Sequence, residues 1–146
     1  ELFSAFAVGA MCEVYSPVLA REAVDNGVIA VLTGGTGNPF FSTDTAAALR
    51  AAELGCNLLL KGTKVDGVYD KDPAIHNNAK RFEELTVDEM LERRLGVMDL
   101  SAAVMCRENG IDIRVYRMTD AEVIRRAALG EPLGTLVRAR APKKRQ

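Results

Sequence analysis

The chain has 146 residues, 48% hydrophobic and 27% charged, with a formal net charge of -1, which suits one soluble globular domain and leaves no apolar run long enough for a membrane span. Five of the 19 basic residues (Arg138, Arg140, Lys143, Lys144, Arg145) fall in the last nine positions, so residues 1 to 137 hold 14 basic against 20 acidic side chains, a balance that argues against nucleic-acid binding. Cys12, Cys56 and Cys106 are widely spaced and His76 is the only histidine, so a zinc site is excluded and a reduced, cytoplasmic setting is expected.

Residues 1 to 11 are small and apolar. Tyr15-Ser16-Pro17 marks a helix start, since proline is tolerated in a first turn, and Asp25-Asn26-Gly27 a stop. Val28 to Leu32 is a β-branched, apolar run that reads as a strand. Gly34, Gly35, Gly37 and Pro39 form a turn, and Ser42-Thr43-Asp44 leads into a helix over residues 44 to 54. That helix carries alanine at 46, 47, 48, 51 and 52 and can pack closely on a neighbour. A glycine loop between strand and helix can hold an anion on backbone N–H groups and the positive end of the helix dipole. The dinucleotide pattern fails because Phe40 stands where its third glycine belongs, and Gly-Lys-Ser/Thr is absent. From residue chemistry alone, an anion site and an ordinary strand-to-helix connection both stay open. Adjacent Phe40 and Phe41 cannot both turn easily to the core, which points one of them to a pocket or a subunit contact.

Asn57 to Leu60 reads as a buried strand, so the stretch from residue 28 to 60 is expected to form one βαβ unit of a parallel sheet. Ligands sit beyond the carboxyl ends of such strands, where the 33 to 44 loop and the 61 to 72 segment both lie. Asp66-Gly67 is a good hairpin-turn dipeptide and Asp72-Pro73 a loop signal. Lys61, Thr63 and Lys64 form either a solvated loop or part of a site. His76 is expected in an exposed loop, with no role. Thr86 and Glu89 make a capping box, Asp99 caps the next helix, and its apolar stripe ends at Asn109-Gly110. Ile111 to Tyr116 alternates as a strand, Thr119 or Asp120 opens a helix to Leu129, and Gly134 to Val137 reads as a final strand. The basic end, residues 138 to 146, is expected to be disordered.

Gly35 to Asp44 (Gly-Thr-Gly-Asn-Pro-Phe-Phe-Ser-Thr-Asp), Leu60 to Pro73, Val97-Met-Asp-Leu100 and Gly134-Thr-Leu-Val137 strongly resemble the bacterial uridylate kinases of the amino-acid kinase superfamily. The resemblance covers about residues 4 to 137. It implies a three-layer α/β/α sandwich with a mostly parallel sheet, incomplete at the amino-terminal side. It also implies phosphoryl transfer from ATP to UMP with Mg2+, no residue of this chain being assigned as a metal ligand. Position by position, it assigns Thr36, Gly37, Asn38, Pro39, Phe40, Phe41, Ser42 and Thr43 to UMP. Asp44 organises the reacting centre, Lys61 approaches the phosphates, and Thr63, Tyr69 and Asp72 contact ATP. Homo-oligomers, hexamers in the family, and regulation by GTP or UTP are implied as well. Family members carry a further upstream segment with a phosphate-contacting lysine, a second glycine loop and an acidic residue for the UMP ribose. The expectation is therefore that this chain alone is weakly active or inactive. The alternative is a non-catalytic nucleotide-binding or assembly module on the same fold.

Overall fold

Local chemistry sets where the helices begin. Pro17 opens α1 (Pro17–Asp25), at a position whose N–H would have no partner. Ser42 caps α2 (Thr43–Glu53), its hydroxyl accepting from the N–H groups of Asp44 and Thr45. Thr86 and Glu89 form the expected reciprocal box at α3 (Val87–Glu92). Asp99 caps α4 (Leu100–Asn109) and Asp120 caps α5 (Ala121–Ala128), accepting from the N–H groups of Ala102 and Val123. Gly110, at φ 69°, closes α4 in the left-handed region that glycine tolerates best.

The computed structural model describes residues 1–140. Strands β1 (Leu2–Ser4), β2 (Glu13–Val14) and β3 (Val31–Thr33) form a three-stranded parallel sheet in the order β2-β1-β3. Strands β4 (Leu58–Thr63), β5 (Glu84–Thr86), β6 (Asp112–Arg117) and β7 (Thr135–Arg138) form a four-stranded sheet ordered β4-β6-β7-β5. There β4 and β6 run parallel, as do β5 and β7, while β6 and β7 are antiparallel. The α/β/α class with mostly parallel pairing is as expected. The single βαβ unit is not. β3 takes its ladder from β1 and β4 takes its own from β6, so the strands on either side of α2 belong to different sheets. The partner of β3 comes from the opening residues, whose three-residue strand is too short to show an alternating pattern. Among the described residues no helix is long and apolar enough to cross a membrane.

The main core lies between the four-stranded sheet and helices α2, α3 and α4. Leu59, Ile113, Val115 and Val137 from the strands meet Val87 and Met90 of α3 and Cys106 of α4. The alanine-rich face of α2 serves close approach: Ala48 packs with Ala102 and Ala103 of α4, all three at 0% exposure. Burial pushes the Cys106 thiol up to about 11, so this cysteine is a core residue and not a nucleophile. A smaller cluster joins Phe3 of β1 to Ala20 and Ala23 of α1.

Two polar side chains tie these elements together. Asp99 caps α4 and also reaches α2: its carboxylate accepts from the hydroxyl of Ser42, from Thr45 Oγ1 at 3.0 Å, from Ser101 Oγ at 2.9 Å and from the Ala102 N–H at 2.8 Å. The starts of both helices therefore converge on one carboxylate. Thr135, fully buried, accepts from the Val68 N–H at 2.9 Å and donates to the Phe82 carbonyl at 2.5 Å. It holds the 66 to 69 segment and the chain before β5 against β7. Gly67 belongs to this packing and to no hairpin turn. Its φ is not positive, as a hairpin turn of the expected type would require, and an added Cβ would lie 2.4 Å from Thr135 Oγ1.

The carboxyl boundary also shifts. Arg138, expected in the tail, ends β7 and pairs with Asp112 at 3.0 Å and Glu84 at 3.2 Å, and the Ala139 N–H donates to Asp112 at 2.9 Å. Lys143, Lys144 and Arg145 lie outside the described residues.

Thr135→Val keeps the volume but leaves a buried N–H and a partly buried carbonyl without this partner. It should cost about 1–3 kcal/mol, read as a lower urea midpoint with an unchanged slope. Desolvation alone would raise the Asp99 carboxyl, but the donors from Ser42, Ala102, Ser101 and Thr45 outweigh it and hold it at about 2, below the ordinary 3.8. A depressed carboxyl stabilises the fold above its unfolded value and loses that contribution as pH falls through the folded value. Asp99→Asn should therefore flatten the fall in melting temperature between about pH 4 and pH 2, measured by thermal unfolding across a pH series.

Candidate functional site

Two polar segments meet at the carboxyl ends of β3 and β4. After β3 the chain turns through Gly34, Gly35 and Gly37, at φ 77°, 64° and 78°. Close approach adds a second restriction at two of these turns. A Cβ on Gly34 would lie 3.0 Å from the Phe6 ring, and one on Gly37 would lie 3.3 Å from Ala5. Thr36 and Asn38 then lock the tip. The Thr36 hydroxyl accepts from the Asn38 N–H at 3.1 Å and donates to the Asn38 carbonyl at 3.2 Å, and Asn38 Nδ2 donates to the Thr36 carbonyl at 3.3 Å. Pro39 is exposed, and Phe40 is fully exposed in the left-handed region at φ 69°. Phe41 is 57% exposed. Neither ring turns to the core, and neither lines the cavity described below.

Ser42, Thr43 and Asp44 follow at the start of α2, where the helix dipole favours negative charge. Asp44 carries that charge itself. Its Oδ1 accepts from Lys61 Nζ at 2.5 Å, with side chains 26% and 19% exposed. Lys61 reaches this position because strand side chains alternate. It lies two residues beyond Leu59, on the face of β4 that builds the core. The ion pair thus joins the glycine loop to the second segment.

That segment borders a cavity of about 690 Å³, lined by Lys61, Thr63, Val65, Tyr69, Asp72 and Val97 among others. Its size is that of a small-ligand site. Thr63 is turned onto its own loop, its hydroxyl donating to the Val65 carbonyl at 2.6 Å and accepting from the Val65 N–H at 3.0 Å. Tyr69 donates to Asp66 Oδ1 at 2.7 Å, and Asp66 pairs with Arg81 at 3.0 Å. That hydrogen bond pushes the phenol up and, with Arg81 adding to it, holds the Asp66 carboxyl down. Asp72 accepts from the Ala74 N–H at 2.8 Å, fixing the turn at Pro73.

The structure therefore brings Lys61, Thr63, Tyr69 and Asp72 to one cavity and Asp44 beside it. Thr36 to Thr43 form a neighbouring surface linked through Asp44, while Lys64 is exposed and does not line the cavity. Sequence reading missed the wall from Arg93 to Val97, where Arg94 sits at φ 53°. Its signal was the Val97-Met-Asp-Leu100 motif at its end, to which no site role was assigned. Asp99 was read only as a cap, because its bonds to Ser42 and Thr45 span 57 and 54 positions. Among the described residues, no group of three His, Cys, Asp or Glu side chains could cage a metal ion.

Residues 7–117 match the amino acid kinase family. Over 137 residues the chain is 47% identical to a uridylate kinase of Psychrobacter cryohalolentis, covering 94% of this chain and 57% of that protein. It is 44% identical over 140 residues to one from Xanthomonas oryzae, covering 96% and 58%. Among solved structures, the UMP kinase from Bacillus anthracis superposes with a TM-score of 0.90 at 31% identity, covering 96% of this chain and 58% of that one. The chain spans a little over half the length of these relatives. With the motifs, the sheet order and the two-segment site on one scaffold, the chain belongs to the amino acid kinase family, among relatives that are uridylate kinases.

Proposed function

We propose that this chain supplies the acceptor loop and the donor-nucleotide cavity of a uridylate kinase, which transfers the γ-phosphoryl group of ATP to UMP, giving UDP and ADP. The Lys61–Asp44 pair carries this reading, because it joins the two segments at one point. Phosphoryl transfer depends on positioning and on charge neutralisation more than on covalent chemistry. Backbone N–H groups from Thr36 to Thr43 and the start of α2 hold UMP. Lys61 neutralises charge on the transferred group and Asp44 organises the centre. Thr63, Tyr69 and Asp72 hold ATP, with Tyr69 packing on the base and Asp72 accepting from an amino or hydroxyl group.

Mg2+ fits this donor set as a companion of ATP. It takes oxygen ligands and needs only one or two protein carboxylates beside the phosphates. Asp44 beside the cavity and Asp70 and Asp72 in its lining are the carboxylates at hand, and bound Mg2+ would supply further neutralisation of phosphate charge. Asp99 is already committed to its hydroxyl and N–H donors. Assembly into a homo-oligomer, with GTP or UTP as effectors, belongs to the same reading. Its support is the apolar surface of the first residues, where Met11 is 81% exposed, Val18 73% and Ile29 82%.

The chain spans 57% of a full relative, so the remaining phosphate-binding groups are proposed to come from the rest of a longer protein. UDP formation from UMP, ATP and Mg2+ should be at least about 100-fold slower for this chain than for a form extended upstream. Equal turnover would overturn that division of labour, and UMP binding without turnover in the extended form would favour the non-catalytic module. In the extended form, Asp44→Asn should lower turnover by about 10²–10⁴ with UMP binding kept. Unchanged turnover would remove Asp44 from the centre.

A further inference from the structure

Gly35 holds a left-handed φ in the acceptor loop without side-chain packing around it. Gly34 and Gly37 press on Phe6 and Ala5, whereas nothing lies within 4 Å of a Cβ built on Gly35. Its φ of 64° is not imposed by packing. The turn around it is closed by the Gly37 N–H donating to the Gly34 carbonyl at 3.2 Å, and its own carbonyl is held by one side chain from α2. Arg50 Nη2 donates to the Gly35 carbonyl at 3.1 Å while Nη1 donates to Glu53 Oε2 at 2.8 Å. The guanidinium carbon lies 3.9 Å from the centroid of the Tyr15 ring. Tyr15 donates to the same Glu53 oxygen at 2.7 Å, and Arg21 holds the Glu53 carbonyl at 2.7 Å. Burial and the Glu53 carboxylate push the Tyr15 phenol up to about 12, so the hydroxyl stays a donor at any working pH. The Arg50 side chain is 12% exposed. It is docked on an aromatic face and a carboxylate before it touches the loop.

A peptide unit is planar and trans, so its carbonyl and the following N–H point in opposite directions. Fixing the Gly35 carbonyl toward Arg50 therefore turns the Thr36 N–H away from it. Among the described residues that N–H has no hydrogen-bond acceptor. We propose that Arg50 is the positioning residue of the acceptor loop, fixing the Gly35–Thr36 peptide so that the free Thr36 N–H is presented to the bound nucleotide. The inference rests on the assignment of this loop to UMP. Arginine is required because a planar fork can serve two acceptors at a fixed angle while stacking on a ring. A lysine ammonium cannot do this.

The test is Arg50→Lys in the form extended upstream, with UMP and ATP binding measured separately by calorimetry and amide exchange followed from Gly34 to Asn38. The expected result is about tenfold weaker UMP binding, ATP binding changed by less than about twofold, and faster exchange at Thr36 and Gly37. Glu53→Gln, which keeps an acceptor for both Tyr15 and Arg50 but removes the charge, should act in the same direction by about threefold, and it decides the matter if the lysine variant does not fold. Equal loss of UMP and ATP affinity marks a purely structural clamp and overturns the proposal, as does unchanged UMP binding. If the unsubstituted extended form binds no UMP, the acceptor assignment fails. The exchange comparison then stands alone, and unchanged exchange in the variants overturns the role of Arg50.

Discussion

The contact between Lys61 and Asp44 requires two independent alignments. Asp44 must lie in the first turn of α2, which Ser42 fixes by capping, and Lys61 must project from the core face of β4 just past Leu59. A displacement of either element by one residue would separate the charges, because strand side chains alternate in direction and helical ones rotate. Both groups are partly shielded from water, where opposite charges interact more strongly than at an open surface. This contact joins the glycine loop to the segment that lines the cavity.

Supports for that alignment come from outside the site. Asp99 binds the starts of α2 and α4 together, so the helix carrying Asp44 is positioned by the helix packed against it. Small residues make this possible, since Ala48, Ala102 and Ala103 let the helices approach until one carboxylate can span their ends. Thr135 does the same for the cavity, joining the 66 to 69 segment to β7 through a single hydroxyl. Thr135 is removed from water and Asp99 partly so, and both are fully engaged, an arrangement that costs stability when one partner is lost and favours a single geometry when all are present.

Much of the fold was legible locally. Caps at Thr86, Asp99 and Asp120 act across three residues, so the signal and its structural effect sit in the same short stretch. The glycine loop was legible for a similar reason, since its positive φ angles restrict the residues that can occupy it. Strands of two or three residues, such as β1, β2 and β5, carry no period to read. Gly67 shows the opposite error. Asp-Gly between valines matches a hairpin turn, yet the glycine is there because Thr135 and Arg81 leave no room for a Cβ.

From the amino-acid sequence alone came the helix starts, the glycine loop between strand and helix, the polar cluster after Leu60 and the family resemblance built on those motifs. Each depends on residues close together in the chain, where capping geometry, glycine freedom and side-chain period operate. The tertiary structure decided that β3 and β4 lie in different sheets, that Asp99 reaches back to Ser42 and Thr45, and that Arg50 holds the Gly35 carbonyl. Those facts depend on groups many residues apart meeting in space, and such meetings are set by which surfaces pack together.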